Sequence, residues 1–183
     1  MELTGQRSLP VDRETAWAAL NDPELLKAAI PGCESFTACG PDVFEIVVNA
    51  AVGPVKARFK GRIRLADLDP PASYRIEFDM QGGGAGFSRG EARVSLAPAG
   101  AGQTLMDYAV SAQVGGKIAQ VGSRLVDAAA ATLAERFFAS FAARLAQLHP
   151  VPEGGSAPTV APAPGWWASL VAFLRRLLAR PSQ

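Results

Sequence analysis

The sequence has little of what most catalytic and metal sites are made from. Its 183 residues include one histidine, His149, and two cysteines, Cys33 and Cys39. A single histidine nearly excludes a Ser-His-Asp triad, a two-histidine metal site and a histidine acid/base pair. Two cysteines do not build a disulfide framework, and their spacing is poor for a metal. We therefore expect no metal site and interpret both cysteines as small apolar packing residues.

The sequence also lacks net charge and long apolar runs. Eighteen basic and 17 acidic residues give a formal charge of +1, so we expect no nucleic-acid partner. No apolar run reaches the roughly 18 residues that would suggest a membrane span. The first seven residues lack the apolar core of a signal peptide, so we expect the chain to stay in the cytoplasm. The hydrophobic share of 49% is nevertheless enough to fill a core.

Composition divides the chain into three parts. Residues 1–148 have the patterning of a globular domain. Residues 149–165 are dominated by Pro, Ala, Gly and Ser, which is typical of a semi-extended linker. Residues 166–183 are strongly apolar again but too few for a domain. We predict one domain, one linker and one terminal helix.

Hydrophobic periodicity in residues 1–148 predicts an α+β fold. A first strand is followed by two short helices, for which Asp12 and Asp22 are the expected N-caps. Residues 43–115 then alternate with period two, as strands of an antiparallel sheet with one covered face do. From Gly116 to Leu148 the pattern is helical. This order predicts a curved antiparallel sheet wrapped around a long C-terminal helix.

Three segments of this pattern carry a family resemblance. They are LPVDRETAWAALNDPELLKAAIPGC (9–33), GPVKARFKGRIRL (53–65) and VGGKIAQVGSRLVDAAA (114–130), which is followed by Phe137-Phe138. With these residues the chain resembles the START-like (SRPBCC) helix-grip superfamily and, within it, the CoxG family of carbon monoxide dehydrogenase. The resemblance covers about residues 1–148 and implies an apolar ligand held between sheet and helix.

The same resemblance implies a role. Members of the CoxG family are non-catalytic accessory proteins of a molybdenum hydroxylase such as carbon monoxide dehydrogenase. The resemblance implies recruitment of that enzyme to the cytoplasmic membrane for electron delivery to the respiratory chain. It also implies a quinone (menaquinone or ubiquinone) or similar lipid as a non-covalent ligand. We accordingly expect a protein located peripherally at the inner face of the cell membrane.

The apolar face of the predicted sheet supplies the candidate ligand contacts. Tyr74 and Tyr108 are the polar groups on this face, and they suit a quinone or prenyl chain. The same residues are equally well explained as an ordinary core. Together with two positions of the long helix and one loop residue, the candidates are Phe44, Ile46, Val48, Phe59, Ile63, Tyr74, Ile76, Phe78, Met80, Phe87, Met106, Tyr108, Val110, Leu125 and Leu133.

The glycine cluster at residues 82–86 does not fit a phosphate-binding loop. No Lys-Ser/Thr follows it, the GxGxxG spacing is not met, and a strand comes next instead of a helix. We interpret it as a hairpin loop at the mouth of the cavity, with Phe87 as a gate.

Five cations at a spacing of two share one face of a predicted strand: Lys56, Arg58, Lys60, Arg62 and Arg64. One interpretation is neutralisation by carboxylates of neighbouring strands, with Glu45 opposite Arg62 and with Glu77 near Arg64. The other is a docking surface for an acidic partner or for lipid headgroups. The expected register gives Lys56, Arg58 and Lys60 no acid, so these three are the predicted docking residues.

The terminal segment has an amphipathic pattern at helical spacing. Its arginines and tryptophans are typical of a helix lying in a membrane interface. Its 15 residues from Trp166 to Arg180 would span about 22 Å, short of the ~30 Å hydrocarbon core. A helix in a protein groove and a disordered tail are the alternatives. The predicted membrane contacts are Trp166, Trp167, Leu170, Val171, Phe173, Leu174, Arg175, Arg176, Leu177, Leu178 and Arg180.

Three functional hypotheses follow from these patterns. The first is a lipid-binding protein that recruits a dehydrogenase to the membrane. The second is a cyclase or aromatase on the same fold, which would need acids, bases or a histidine facing the cavity. The third is a membrane adaptor with a filled core and no ligand.

Overall fold

The predicted strand–helix–strand–helix order is present. The computed structural model describes residues 1–100 and 102–150. Its helices are α1 (Arg13–Leu20), α2 (Pro23–Ala29), α3 (Lys117–Gln120) and α4 (Ser123–Leu148). Its strands are β1 (Glu2–Leu9), β2 (Cys33–Gly40), β3 (Val43–Val52), β4 (Val55–Asp69), β5 (Ser73–Gln81), β6 (Phe87–Pro98) and β7 (Thr104–Gly115).

The two short helices begin where the sequence predicts. The Asp12 carboxylate accepts a hydrogen bond from the Thr15 backbone N–H at 2.9 Å, which caps α1. The Asp22 carboxylate accepts from the Glu24 and Leu25 backbone N–H groups at 2.9 and 3.2 Å. Each cap satisfies backbone donors that have no partner within the helix.

All seven strands form one curved antiparallel sheet in the order β1-β7-β6-β5-β4-β3-β2. β3 and β4 are joined by the two-residue turn Gly53-Pro54, in which Gly53 has a φ of 55°. On the inner face, a Cβ on Gly61 would lie 2.0 Å from the Asp79 carbonyl oxygen. Glycine at this position therefore lets neighbouring strands approach more closely than a side chain allows.

The helices cover the inner face, and the main core lies beneath α1, α2 and the second half of α4. Phe141 and Leu145 of α4 are completely buried there. Beneath them the Thr104 hydroxyl donates to the Val11 carbonyl at 2.8 Å. The first half of α4 is much more exposed, with Leu125 at 49%. Within the described ranges no helix combines the length and the apolarity that crossing a bilayer requires.

Candidate functional site

An apolar cavity of about 410 Å³ lies between the inner face of the sheet and the helices. Strands from β1 to β7 form its floor and walls, and α1, α2 and α4 close it. Its lining comprises Leu3, Leu20, Asn21, Leu26, Ile30, Pro31, Phe36, Phe44, Val48, Ala50, Ile63, Leu65, Tyr74, Ile76, Val94, Met106, Tyr108, Val110, Leu133, Ala134, Phe137 and Phe138.

Nine of the fifteen residues predicted to contact a ligand line this cavity. Eight come from strands, because alternate residues of a strand point to the same face; the ninth is on α4. They are Phe44, Val48, Ile63, Tyr74, Ile76, Met106, Tyr108, Val110 and Leu133.

Four other predicted contacts lie in the strands but do not line the cavity. Ile46 is buried in a small cluster with Phe36 and Phe44. Phe59 is buried beside Ile118 of α3, and Met80 packs against both of these clusters. Ile46, Phe59 and Met80 are therefore core residues. Phe78 pairs in register with Gly90 and does not reach the cavity wall.

The structure corrects the predictions for Phe87 and Leu125. Phe87 pairs with Gln81 and Gly115, and the Arg89 guanidinium lies 5.7 Å from its ring centre. It alternates with the inner residue Ser88 and therefore faces outward, so it is no cavity gate. Leu125 is half exposed in the first turn of α4, near Gly53 at the β3–β4 turn, and does not line the cavity.

Sequence reasoning missed much of the helical wall. Leu20, Leu26 and Ile30 are apolar residues at helical spacing, a signal that predicts a buried helix face without saying what it covers. Phe137 and Phe138 carry the family resemblance but no strand parity. Asn21 is the C-cap of α1, and its Nδ2 donates to the Trp17 carbonyl at 2.8 Å.

The polar groups that line the cavity are neutral. They are the side chains of Asn21, Tyr74 and Tyr108, and the described lining contains no carboxylate, histidine, lysine or arginine. Tyr74 is 5% exposed, and the Trp17 ring packs edge-on against it at 5.3 Å between ring centres. Burial raises the pKa of the Tyr74 phenol well above its ordinary value of 10.0. Tyr74 therefore stays a neutral hydroxyl that can donate a hydrogen bond.

Tyr108 owes its position to a glycine on the neighbouring strand. It pairs in register with Gly5 of β1, and a Cβ on Gly5 would lie 2.3 Å from the Tyr108 Oη. The ring also packs against Phe138 of α4, with 5.0 Å between ring centres. Tyr108 therefore lies across β1 and under α4, where it forms one end of the cavity.

The basic strip on β4 is largely neutralised. Glu45 pairs with Arg62 at 3.1 Å and Glu77 lies 3.9 Å from Arg64, which confirms the expected cross-strand register. Arg58, predicted to have no acid, pairs with Glu34 of β2 at 2.6 Å.

The Arg58–Glu34 pair corrects that prediction because β2 reaches across β3. The hydrogen bonds from Arg58 and from Asn49 hold the pKa of the Glu34 carboxyl below its ordinary value. Lys56 and Lys60 are exposed, and neither forms an ion pair within residues 1–100 and 102–150.

Comparison with known proteins adds a family. The sequence profile of the carbon monoxide dehydrogenase protein CoxG matches residues 5–146. The chain belongs to the CoxG family. A search of curated proteins finds no match. The chain is similar to a solved conserved protein from Geobacillus kaustophilus, with 30% identity, a TM-score of 0.76, and coverage of 81% of this chain and 97% of the other.

Two more distant structures share the fold alone. A START superfamily protein from Mycobacterium smegmatis is 16% identical, with a TM-score of 0.64 and coverage of 81% of this chain and 99% of the other. The Zhui aromatase/cyclase from Streptomyces sp. R1128 is 11% identical, with a TM-score of 0.57 and coverage of 82% and 96%. These neighbours establish a START-like fold. Membership of the CoxG family supports an accessory role beside a carbon monoxide dehydrogenase.

The predicted membrane helix cannot be placed on this site. The CoxG match ends at residue 146, and all eleven predicted membrane contacts, Trp166 to Arg180, lie outside the described residues. The linker 149–165 lies almost wholly outside them.

The two cysteines of this CoxG family member differ in exposure. Cys33 is half-buried, and burial raises the pKa of its thiol. Cys39 is exposed, so the interpretation of both cysteines as packing residues is wrong for Cys39. Within the described part of the chain, no three His, Cys, Asp or Glu side chains come together as a metal site.

Proposed function

We propose that the cavity binds a quinone or similar neutral apolar lipid, and that the protein recruits a molybdenum-containing dehydrogenase to the cytoplasmic membrane. The observation that carries the proposal is the apolar cavity whose lining polar groups are uncharged hydroxyls and an amide. Its volume lies in the range of about 300–1,000 Å³ that is typical of small-molecule sites.

The lining favours a particular ligand class. A charged head in this cavity would lose its hydration without an opposite charge to replace it, which costs several kcal/mol. Tyrosine hydroxyls and the asparagine amide instead donate hydrogen bonds to carbonyl oxygens. A molecule with a carbonyl-bearing head and a hydrocarbon body meets both conditions, as a menaquinone or ubiquinone does.

The enzyme alternative finds less support. Cyclase chemistry needs a general acid or base within hydrogen-bond reach of the substrate. The two lining tyrosines are the titratable groups among the described lining residues, and burial makes Tyr74 a weaker acid. We therefore propose carriage of the ligand without chemical conversion.

For docking of the partner dehydrogenase we propose the outer face of β4 around Lys56 and Lys60. Both lysines are exposed on the same face, and Arg58 lies between them. Because Arg58 is engaged with Glu34, the two lysines supply the charge that an acidic partner surface would meet.

Extraction of bound lipid tests the cavity. Full-length protein purified from its own host is extracted with organic solvent, and the lipids are identified by mass spectrometry. We expect one quinone per chain. Leu133→Trp should lose it because Leu133 lines the cavity, whereas Leu125→Trp, two turns earlier on α4, should retain it. Absence of lipid from every protein would refute the carrier proposal, and equal lipid in both variants would place it outside the cavity.

Membrane recruitment is tested separately with vesicles that contain anionic phospholipid. We expect the full-length chain to sediment with them. Leu174→Glu places a charge on the predicted apolar face and should abolish sedimentation, whereas Ala172→Glu adds the same charge on the opposite face and should reduce it less. Equal effects of both variants would contradict an amphipathic membrane helix.

A further inference from the structure

Arg7 is an exception on the inner face of the sheet. Alternate residues of β1 point inward, and they are Leu3, Gly5, Arg7 and Leu9. The other inward positions of the seven strands, all of which the structure describes, carry no charged side chain. A charge on this face is expensive unless it is paired.

The partner of Arg7 comes from the long helix. The Arg7 guanidinium forms an ion pair and hydrogen bond with Glu135 of α4. It also lies over the ring of Phe138, 5.4 Å from the ring centre. Arg7 therefore ties the edge strand of the sheet to the helix through two different interactions.

These contacts continue into the cavity. Phe138 packs against Tyr108, and both rings line the cavity. At Gly5 the edge strand has no side chain of its own, so the Tyr108 ring fills the space between β1 and α4. The wall here, which we name the β1–α4 seam (Gly5, Arg7, Tyr108, Glu135 and Phe138), is closed by rotatable side chains instead of by backbone.

We propose that the β1–α4 seam is the route by which the ligand enters and leaves, and that the Arg7–Glu135 pair keeps it closed by holding Phe138 and Tyr108 in place. This inference rests on the proposed ligand-binding function. When the pair separates, Phe138 loses its cation and Tyr108 loses the ring that holds it over Gly5. Rotation of the Tyr108 side chain then opens the cavity beside β1.

A simpler role for Arg7 would be protection of the sheet edge. Inward-pointing charges on edge strands discourage pairing with other chains. That role requires a charge at this position but no particular partner on α4. It predicts an effect on aggregation and none on the rates of ligand exchange, so the two roles can be separated.

The test measures exchange rates of a neutral apolar dye, N-phenyl-1-naphthylamine, whose fluorescence rises in apolar surroundings. Stopped-flow mixing with the full-length protein gives kon and koff. Glu135→Gln should raise both by about two- to fivefold, the factor that corresponds to an exposed ion pair of up to about 1 kcal/mol. Kd should change less than twofold, because opening a route alters both directions equally.

Matched variants separate this pair from charge in general. Glu45→Gln breaks the Arg62–Glu45 pair on the outer face and should leave both rates unchanged. Arg7→Glu and Glu135→Arg should each accelerate exchange, and the double reversal should restore slow exchange. High salt should accelerate the wild type and have little effect on Glu135→Gln, because salt screens exposed charges.

Three results would overturn the inference. Unchanged rates in Glu135→Gln and in both reversal variants would place the route elsewhere. A raised koff with unchanged kon would make the pair part of the binding wall. Failure of any form to bind dye or host lipid would refute the proposed function, and this inference with it. Glu135 has a 68% exposed side chain, so its glutamine variant should fold, which far-UV circular dichroism verifies.

Discussion

Replacing Gly5 by alanine tests how tightly the β1 edge of the cavity is packed. Gly5 has ordinary strand backbone, so alanine meets no conformational obstacle there. Its new Cβ would lie 2.3, 2.5 and 2.8 Å from three atoms of the Tyr108 ring and hydroxyl. The ring cannot move freely because it packs against Phe138. Overpacking of this kind costs about 1–3 kcal/mol.

The cost should reverse sign when the ring is removed. Glycine-to-alanine changes at compatible positions stabilise a protein by about 0.4–1 kcal/mol, because the unfolded chain loses freedom. In a Tyr108→Val background we therefore expect Gly5→Ala to stabilise the protein by that amount. The double-mutant cycle should give a coupling energy of about 1.4–4 kcal/mol.

Urea unfolding followed by far-UV circular dichroism measures these free energies. Gly40→Ala is the matched control, since Gly40 lies on the other edge strand and its Cβ would be 3.9 Å from the nearest side-chain atom, on Val43. It should stabilise the protein slightly. An equal effect of Gly5→Ala in the presence and absence of the Tyr108 ring would refute the packing argument.

Three further predictions concern the core and the titrating groups. Phe141→Ala should cost about 3–5 kcal/mol in urea unfolding because Phe141 is completely buried, whereas half-exposed Leu125→Ala should cost much less; similar costs would contradict the packing described for α4. Arg75, 2.7 Å from Asp67, holds the pKa of that carboxyl below 3.8, so the stability it contributes is present above about pH 5 and lost on acidification. Asp67→Asn should therefore reduce the fall in Tm between pH 7 and pH 3, and an unchanged fall would show that the pair adds nothing. Burial raises the pKa of Tyr74 above 10.0, so the folded state favours the neutral phenol and loses stability as the pH rises past that value. Tyr74→Phe should lower Tm less between pH 8 and pH 11 than the wild type does, unless another group governs alkaline unfolding.

Strand parity predicted the inner face well, and the reason is geometric. A period of two leaves a residue such as Ile63 or Val110 one choice of face once its neighbours are polar. Parity does not say which inner residues meet empty space. That depends on the covering helix: Phe59 is filled over by Ile118 of α3, whereas Ile63 lies under open cavity.

The incorrect predictions have identifiable causes. The alternation of Glu91 and Arg93 extends back to Phe87 and places it on the outer face, so the sequence does contain a signal against its assignment to a loop. The Arg58–Glu34 pair could not be predicted in the same way. It spans two strands, and the register of β2 shifts at irregularities near Ser35 and Gly40 that the alternation does not reveal.

The position of α4 at the end of the fold has a consequence for synthesis on the ribosome. β1 is made first, but its partner in the sheet is β7, and the cavity is closed by Leu133 and Phe138 later still. A nascent chain that stops short of α4 has an apolar sheet face and nothing to cover it. The cavity therefore comes into being only after translation of the domain is nearly complete, and any lipid it holds must be acquired by the finished domain.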